Sequence, residues 1–250
     1  MGRWLAGAAV LLLALLAGAA VYYTIEVRKA RADTPALVAQ AWQQHGRKVA
    51  LADLPPERRS LLLAIEDPAF FRHRGVDLQT PGAGMTTITQ GLVKLLYFPG
   101  GFRQGIAKIR QTLIAQSALD AMMSKQEQLE LLLNIAYLGN VDGRPVRGFA
   151  EAAQAYYGKP FGGLSDREFQ ALVAMLIAPN LYVPGSPAHA GRMSRIDAYL
   201  AGRHRPASVL DVEYDGRTGG TPAEEALMAV LRLATDARPA TRSPPQKGGA

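Results

Sequence analysis

Glu66 and Asp67 stand side by side at the end of the apolar run Leu61-Leu62-Leu63-Ala64-Ile65, and the chain continues Pro-Ala-Phe-Phe-Arg-His-Arg-Gly. A carboxyl group beside apolar surface loses hydration, which disfavours its ionised form and lifts its pKa toward the range of a general base. Pro68 disfavours helical geometry at Asp67, so a helix that opens near Pro55-Pro56 stops there and leaves Glu66 in its last turn. The negative end of the helix dipole pushes the same pKa further up. Glu66 is therefore the leading candidate for proton transfer. The competing reading has the two acids bonding Arg72 and Arg74 in a surface turn, and an isolated Glu-Asp pair favours that reading.

A second set of reactive residue types runs from Gly84 to Lys94, Gly-Met-Thr-Thr-Ile-Thr-Gln-Gly-Leu-Val-Lys, with hydroxyls just ahead of an apolar helix that carries a cation. Thr87 or Thr89 would cap that helix, and its free N–H groups would attract an anion. Lys94 falls about two turns in. An ordinary Thr-capped helix with a solvated lysine explains the same residues. The charge distribution argues for the anion. No acidic residue occurs between Asp77 and Asp120, whereas Lys94, Arg103, Lys108 and Arg110 do. Leu95, Leu96, Tyr97 and Phe102 add apolar surface beside them, and this mixture suits a lipid phosphate or diphosphate. Nucleic acid would account for the charge alone, and no recognition-helix or RNP pattern is present, so no nucleic-acid partner is expected.

The elements that must position these groups read as helices. The 250 residues allow one domain of ordinary size plus extras. Cysteine is absent, which excludes disulfides, thiolate metal sites and cysteine nucleophiles. The four histidines are not placed at metal-ligand spacing, so no metal ligands are assigned. A net charge of +7 points to anionic partners. From Trp4 to Ile25, 22 residues carry no charge and would span about 33 Å as a helix, enough to cross a bilayer core. Trp4 and Tyr22-Tyr23 suit the two aromatic belts. Ala17-Gly18-Ala19 resembles a signal cleavage site, but the apolar run continues past it, which favours an uncleaved anchor and juxtamembrane segment over 1–33. Arg28, Lys29 and Arg31 outnumber Arg3 and the amino terminus, so charge alone would keep the body cytoplasmic.

Thr34-Pro35 reads as an N-cap followed by a first-turn proline, opening a helix through Gln44. Helical periodicity recurs over 56–66, 87–97, 105–123, 125–138, 148–157, 165–178 and 188–201. Ser124 with Gln128, and Ser165 with Glu168 as a capping box, mark helix starts. No stretch of six residues alternates with period two, so the body reads as all-α. After Arg205-Pro206 the pattern becomes irregular over 206–250, with one short helix over 222–234. Residues 239–250 have no apolar face to bury and read as disordered.

Taken in order, these residues resemble the peptidoglycan glycosyltransferases of glycosyltransferase family 51. The first family motif, E-D-x-x-F-x-x-H-x-G, is matched by Glu66, Asp67, Phe70, His73 and Gly75. The second, G-G-S-T-x-T-Q-Q-L-x-K-N, is matched at Gly84, Thr87, Thr89, Gln90, Leu92 and Lys94, with Thr86 for its serine. Leu131 to Gly139 resembles L-Y-L-N-x-x-Y-x-G, Arg147 to Lys159 resembles R-G-x-x-x-A-A-x-x-Y-F-G-K, and Pro179 to Pro184 resembles P-x-x-Y-x-P. The resemblance implies a lysozyme-like helical glycosyltransferase domain over 34–205 behind one transmembrane helix. Its activity would be polymerisation of lipid II into glycan strands on the outer or periplasmic face of the cytoplasmic membrane, with release of undecaprenyl diphosphate and inversion. That location overrules the charge-based topology. The resemblance makes Glu66 the base for the acceptor's 4-hydroxyl. It places Asp67, Phe70 and His73 around the site and Thr87, Gln90, Lys94 and Lys108 along the sugar-diphosphate path. Asn134 and Arg147 read as buried structural hydrogen-bonders. Other cell-wall synthesis proteins are the partners such a chain would meet, and no room is left for a transpeptidase domain.

The chain also departs from the pattern. The third family motif, R-K-x-x-E, corresponds to Lys108-Ile109-Arg110-Gln111-Thr112, so the second carboxylate is missing. Threonine brings no formal charge to Mg²⁺, which argues against metal dependence, and Arg110 is the candidate for the displaced cation. The stretch between Gly75 and Gly84 is shorter than the family's by about a dozen residues, in a region that forms part of a mobile jaw. These losses support an alternative, a catalytically weak scaffold that binds lipid II or undecaprenyl diphosphate. A third reading, an anchored helical adaptor whose basic face touches anionic lipid, does not account for the complete first motif.

Overall fold

The apolar run belongs to a helix much longer than a bilayer requires. In the computed structural model, which describes residues 2–103 and 105–235, α1 runs unbroken over Gly2–His45. Its Trp4–Ile25 half leaves Leu11, Leu13 and Leu16 exposed and is long and apolar enough to cross a membrane. The separate helix expected to open at Thr34-Pro35 is corrected: Pro35 lies inside α1. Thr34 caps nothing. Its hydroxyl donates to the Ala30 carbonyl at 2.7 Å and meets Tyr97 Oη at 2.5 Å. Proline there removes one backbone donor, and contacts to the body offset that loss. Arg31 Nη1 donates to the Ser117 carbonyl at 2.7 Å, and Glu26 pairs with Arg110.

After a turn and a 3₁₀ segment over Leu51–Asp53, α2 spans Pro56–Glu66. Pro55 and Pro56 start it, since a missing N–H is harmless in the first turn. It stops at Asp67, which adopts φ −161° ahead of Pro68. Leu62 and Ile65 bury its inner face, each stabilising by roughly 1.5–3 kcal/mol. The helix α3 covers Ile88–Tyr97 and α4 covers Ile106–Ile114. The single helix expected over 105–123 is divided internally, because a π segment at Ala115–Leu119 separates α4 from α5, Asp120–Met122. Ser124 caps α6, Lys125–Ile135, in a box with Glu127 rather than with Gln128.

The helix expected to reach residue 138 ends at Ile135, and a short hairpin follows it within the otherwise helical body. Tyr137–Val141 and Arg144–Arg147 form an antiparallel hairpin, β1 and β2, with Val141 opposite Arg144. Asp142 and Gly143 adopt φ 52° and 77°, the two positive values that a tight hairpin turn requires. The Asp-Gly pair was the available signal, but the flanking strands are too short to alternate. Helices α7, Phe149–Tyr157, α8, Asp166–Met175, and α9, Pro187–Leu200, follow. Ser165 and Glu168 form the expected capping box.

Helices α6 and α8 are buried on most faces and form the centre of the body. Phe149, Phe161 and Phe169 pack there edge to face and tilted. Asn134 is the buried hydrogen-bonder expected: its Oδ1 accepts from Val49 N at 3.0 Å and its Nδ2 donates to Val49 O at 2.7 Å. Arg147 is not. It is half-buried, with its guanidinium 5.8 Å from the Tyr137 ring centroid. The last helix, α10, spans Pro222–Ala234, in the range expected. The stretch 239–250, expected to be disordered, lies outside the described residues.

Candidate active site

Glu66 is the last residue of α2, where the chain leaves the helix through a bond from Asp67 N to the Leu63 carbonyl. Part of its surface meets solvent, yet protein atoms crowd the carboxyl. Burial pushes that group up to about 7, Arg192 opposes the rise, and Asp67 and Glu213 add to it. Among the described residues no hydrogen bond or ion pair engages the carboxylate. It is available as a proton acceptor with a pKa near neutrality.

The rest of the first motif is built inward from Glu66. The Asp67 carboxylate accepts from His73 Nε2 at 2.9 and 3.1 Å and from Ile88 N at 3.0 Å. That last bond satisfies a free N–H at the start of α3, so one buried charge ties the end of α2 to the second motif. Phe70 is fully buried, with the Lys125 ammonium 4.4 Å from its ring centroid. Gly75 adopts φ +78°, and a Cβ there would stand 2.6 Å from the Ala115 carbonyl of the π segment. Only glycine allows that approach.

Thr87 caps α3, accepting from Gln90 N while its hydroxyl donates to the Gly75 carbonyl at 2.7 Å. Gln90 accepts from Thr87 N at 2.9 Å and donates to Thr112 Oγ1 at 2.8 Å. Thr89 does not cap; its hydroxyl donates to Gln128 Oε1 at 2.6 Å. Asp67, Phe70, His73, Thr87 and Gln90 are therefore all buried, with polar contacts made inside the protein.

Thr112, where the family pattern has Glu, sits in a neutral network between α3 and α4. Its hydroxyl donates to the Lys108 carbonyl at 2.7 Å while accepting from Gln90. Lys108 Nζ donates to Thr86 Oγ1 and to Gln111 Oε1, both at 2.9 Å, and Gln111 donates to the Gln90 carbonyl at 2.7 Å. Burial, assisted by the charge of Lys94, lowers Lys108 to about 7. This donor set does not fit a divalent cation, which needs anionic oxygens rather than an ammonium and an engaged hydroxyl. Among the described residues no cluster of three His, Asp or Glu could hold a metal.

Lys94 is exposed, with Nζ 5.8 Å from the Phe102 ring centroid. Arg110 is placed elsewhere. It pairs with Glu26 of α1 and lies over Phe98, so the cation expected to replace the missing one faces the anchor helix. Lys94 and Thr86 are exposed, and Thr86 Oγ1 accepts from the buried Lys108 Nζ, so the solvent side of the cluster lies at Thr86.

Sequence reading missed the groups behind Glu66. Arg192 of α9 is fully buried, donates from Nη1 to the Val212 carbonyl at 2.6 Å and lies 3.5 Å from Glu213. Glu213 also accepts from Arg195 Nη2 at 2.9 Å and from Tyr182 Oη at 2.9 Å. No periodicity marks 206–216, and nothing in the sequence around Arg192 signals its burial or its partner.

The transglycosylase family model matches residues 33–202. The chain is 33% identical over 166 residues to penicillin-binding protein 1B of Buchnera aphidicola subsp. Baizongia pistaciae, covering 60% of this chain and 22% of that protein. It is 32% identical to penicillin-binding protein 1A of Streptococcus oralis, over 57% of this chain and 24% of that one. With penicillin-binding protein 1A of Escherichia coli K12 it shares 30% identity, over 59% and 18% respectively. The chain thus matches about a fifth to a quarter of the length of these relatives. With the match spanning most of the helical body and Glu66 at the head of its motifs, the chain belongs to the transglycosylase family, with that family's all-α, lysozyme-like fold.

Proposed function

We propose that this chain is a membrane-anchored peptidoglycan glycosyltransferase that polymerises lipid II, with Glu66 as the general base. The unpaired Glu66 carboxyl at about 7, at the end of α2, carries this reading. Glu66 accepts the proton of the acceptor's 4-hydroxyl as that oxygen attacks the donor's anomeric carbon. The bond from that carbon to the diphosphate oxygen breaks, its electron pair leaves with undecaprenyl diphosphate, and the centre inverts. Lys94 and Lys108 are the cations this reading assigns to the leaving diphosphate. Asp67, Phe70, His73, Thr87 and Gln90 hold the two motifs together from beneath. The apolar half of α1 anchors the body at the membrane holding the lipid-linked donor, with the catalytic body on its outer face.

The test is polymerisation of purified lipid II by the detergent-solubilised chain and by Glu66→Gln. The variant should lose at least about 100-fold in rate, the usual minimum for a lost general base. Equal activity of the two proteins would refute the assignment. One observation favours a second reading, a lipid II or undecaprenyl-diphosphate binding scaffold: Thr112 and the neutral network leave Lys108 without a carboxylate partner. A wild-type chain that binds lipid II but forms no glycan would establish it.

A further inference from the structure

The family match ends at residue 202, yet the chain beyond it folds back onto the end of α2. The residues from His204 to Gly216 form a strap organised around Asp211. That fully buried carboxylate accepts from Ala207 N and Asp215 N at 3.0 Å, from Gly216 N at 3.1 Å and from His204 Nε2 at 2.9 Å. Four bonds to one carboxylate fix the strap's path. Its start is tied to the shortened loop before the second motif, with Gly82 N donating to Ser208 O at 2.9 Å and Gly84 N to Val209 O at 2.8 Å. A Cβ on Gly84 would stand 2.7 Å from Val212 Cγ1, so strap and loop are in direct contact.

The far end of the strap reaches the catalytic helix. Tyr214 is buried and holds φ +56°, a conformation uncommon for a bulky residue, which the surrounding contacts must maintain. Its hydroxyl donates to the Ile65 carbonyl at 2.9 Å. Tyr199 of α9 stacks on it at 4.2 Å between centroids and donates to the Ala64 carbonyl at 3.1 Å. The last carbonyls of a helix have no partner within it. Here the two immediately before Glu66 receive hydroxyls from a stacked pair. The Arg192 guanidinium lies 5.0 Å from the Tyr214 ring centroid, bonded to Val212 and beside Glu213.

We propose that the His204–Gly216 strap is a positioning element of the glycosyl-transfer site, in which Tyr214 fixes the backbone that carries Glu66 and Glu213 restrains Arg192 from neutralising it. This rests on the reading of Glu66 as the base. The charged groups that act on that carboxyl are Asp67, Arg192 and Glu213. Asp67 follows in sequence, Arg192 and Tyr199 come from α9, and Glu213 and Tyr214 come from the strap. On α8, which packs against α2, Asp166, Arg167 and Glu168 are engaged with Arg58, Asp197 and Lys159. Glu213 raises the Glu66 pKa and Arg192 lowers it. Removing the Glu213 charge therefore deletes one upward influence and frees the opposing cation, and both effects act downward.

Two conservative variants of the full chain test this, with thermal unfolding as a control for folding. Glu213→Gln should move the acid limb of the kcat/KM profile, set by Glu66, down by about half to one pH unit. Tyr214→Phe keeps the stack and removes only the hydroxyl. It should lower kcat about 5- to 20-fold with KM for lipid II nearly unchanged, and should have no further effect in a Glu66→Gln background. A structural role would lower the yield of folded protein without moving the limb or splitting kcat from KM. If Glu66→Gln abolishes polymerisation while both strap variants keep wild-type kcat and pH profile, the strap proposal falls and the base assignment stands. If Glu66→Gln is fully active, the base assignment falls. Should Glu213→Gln not fold, kcat for Tyr214→Phe decides alone.

Discussion

Placing a carboxylate at the third-motif position by Thr112→Glu measures how far its absence has altered Lys108. Lys108 Nζ now rests on two neutral oxygens, and burial brings it from the ordinary 10.5 to about 7. That gap corresponds to roughly 5 kcal/mol against the charged form. A carboxylate one helical turn from Lys108, hydrogen-bonded to it, returns about 1.5–3 kcal/mol, which moves the group up by roughly one to two pH units. At pH 8 the cationic fraction would rise from about one tenth to between about one half and nine tenths. The assay is kcat/KM for lipid II polymerisation across pH, whose limbs report the free enzyme's base and acid. The acid limb belongs to Glu66 and should stay near 7, because the base must be ionised for activity and is protonated below that pH. The alkaline limb belongs to Lys108 and should move upward, with about a five- to tenfold gain at pH 8. Thr112→Gln, similar in size and neutral, should leave that limb in place. An unmoved alkaline limb in a folded Thr112→Glu protein would refute the electrostatic account of Lys108. Movement of the acid limb instead would mean that the limbs were assigned to the wrong groups.

Stability should report the same buried lysine. Its folded pKa lies below the unfolded one, so its destabilisation is complete below pH 7 and is relieved as pH rises toward 10.5. Lys108→Met should therefore unfold at higher temperature than wild type at pH 6, with the advantage shrinking by roughly 1–3 kcal/mol by pH 9 in matched thermal scans. A constant advantage would contradict the lowered value. Gly75→Ala places a Cβ 2.6 Å from the Ala115 carbonyl at φ +78° and should destabilise by about 2 kcal/mol or more, read in denaturant unfolding. Arg110→Ala should change the KM for lipid II by less than about twofold, and stability by no more than about 1 kcal/mol, because its partner is the part-exposed Glu26 of the anchor. A several-fold rise in KM would return Arg110 to the donor path.

The apolar anchor-length run and most helix limits were legible in the chain because they depend on local physics. Prolines at 55, 56 and 68 bound α2 whatever surrounds it, an uncharged 22-residue run has the length of a bilayer, and Ser165 with Glu168 makes its cap from neighbours three residues apart. Types at short spacing also brought Glu66 forward, since desolvation at the end of an apolar helix is a local effect. The roles of its companions were decided by partners distant in the chain. Nothing near Asp67 shows that its charge bonds Ile88 N, nor does anything near Arg110 show that it turns to Glu26, 84 positions away. Tyr214 reaches the Ile65 carbonyl across 149 positions from a segment without periodicity. A hydrogen bond or ion pair needs only two groups in reach, and leaves no repeating trace in either segment. Only the packed helices could show that Glu66 belongs to one stretch of sequence and the groups that hold its backbone to another.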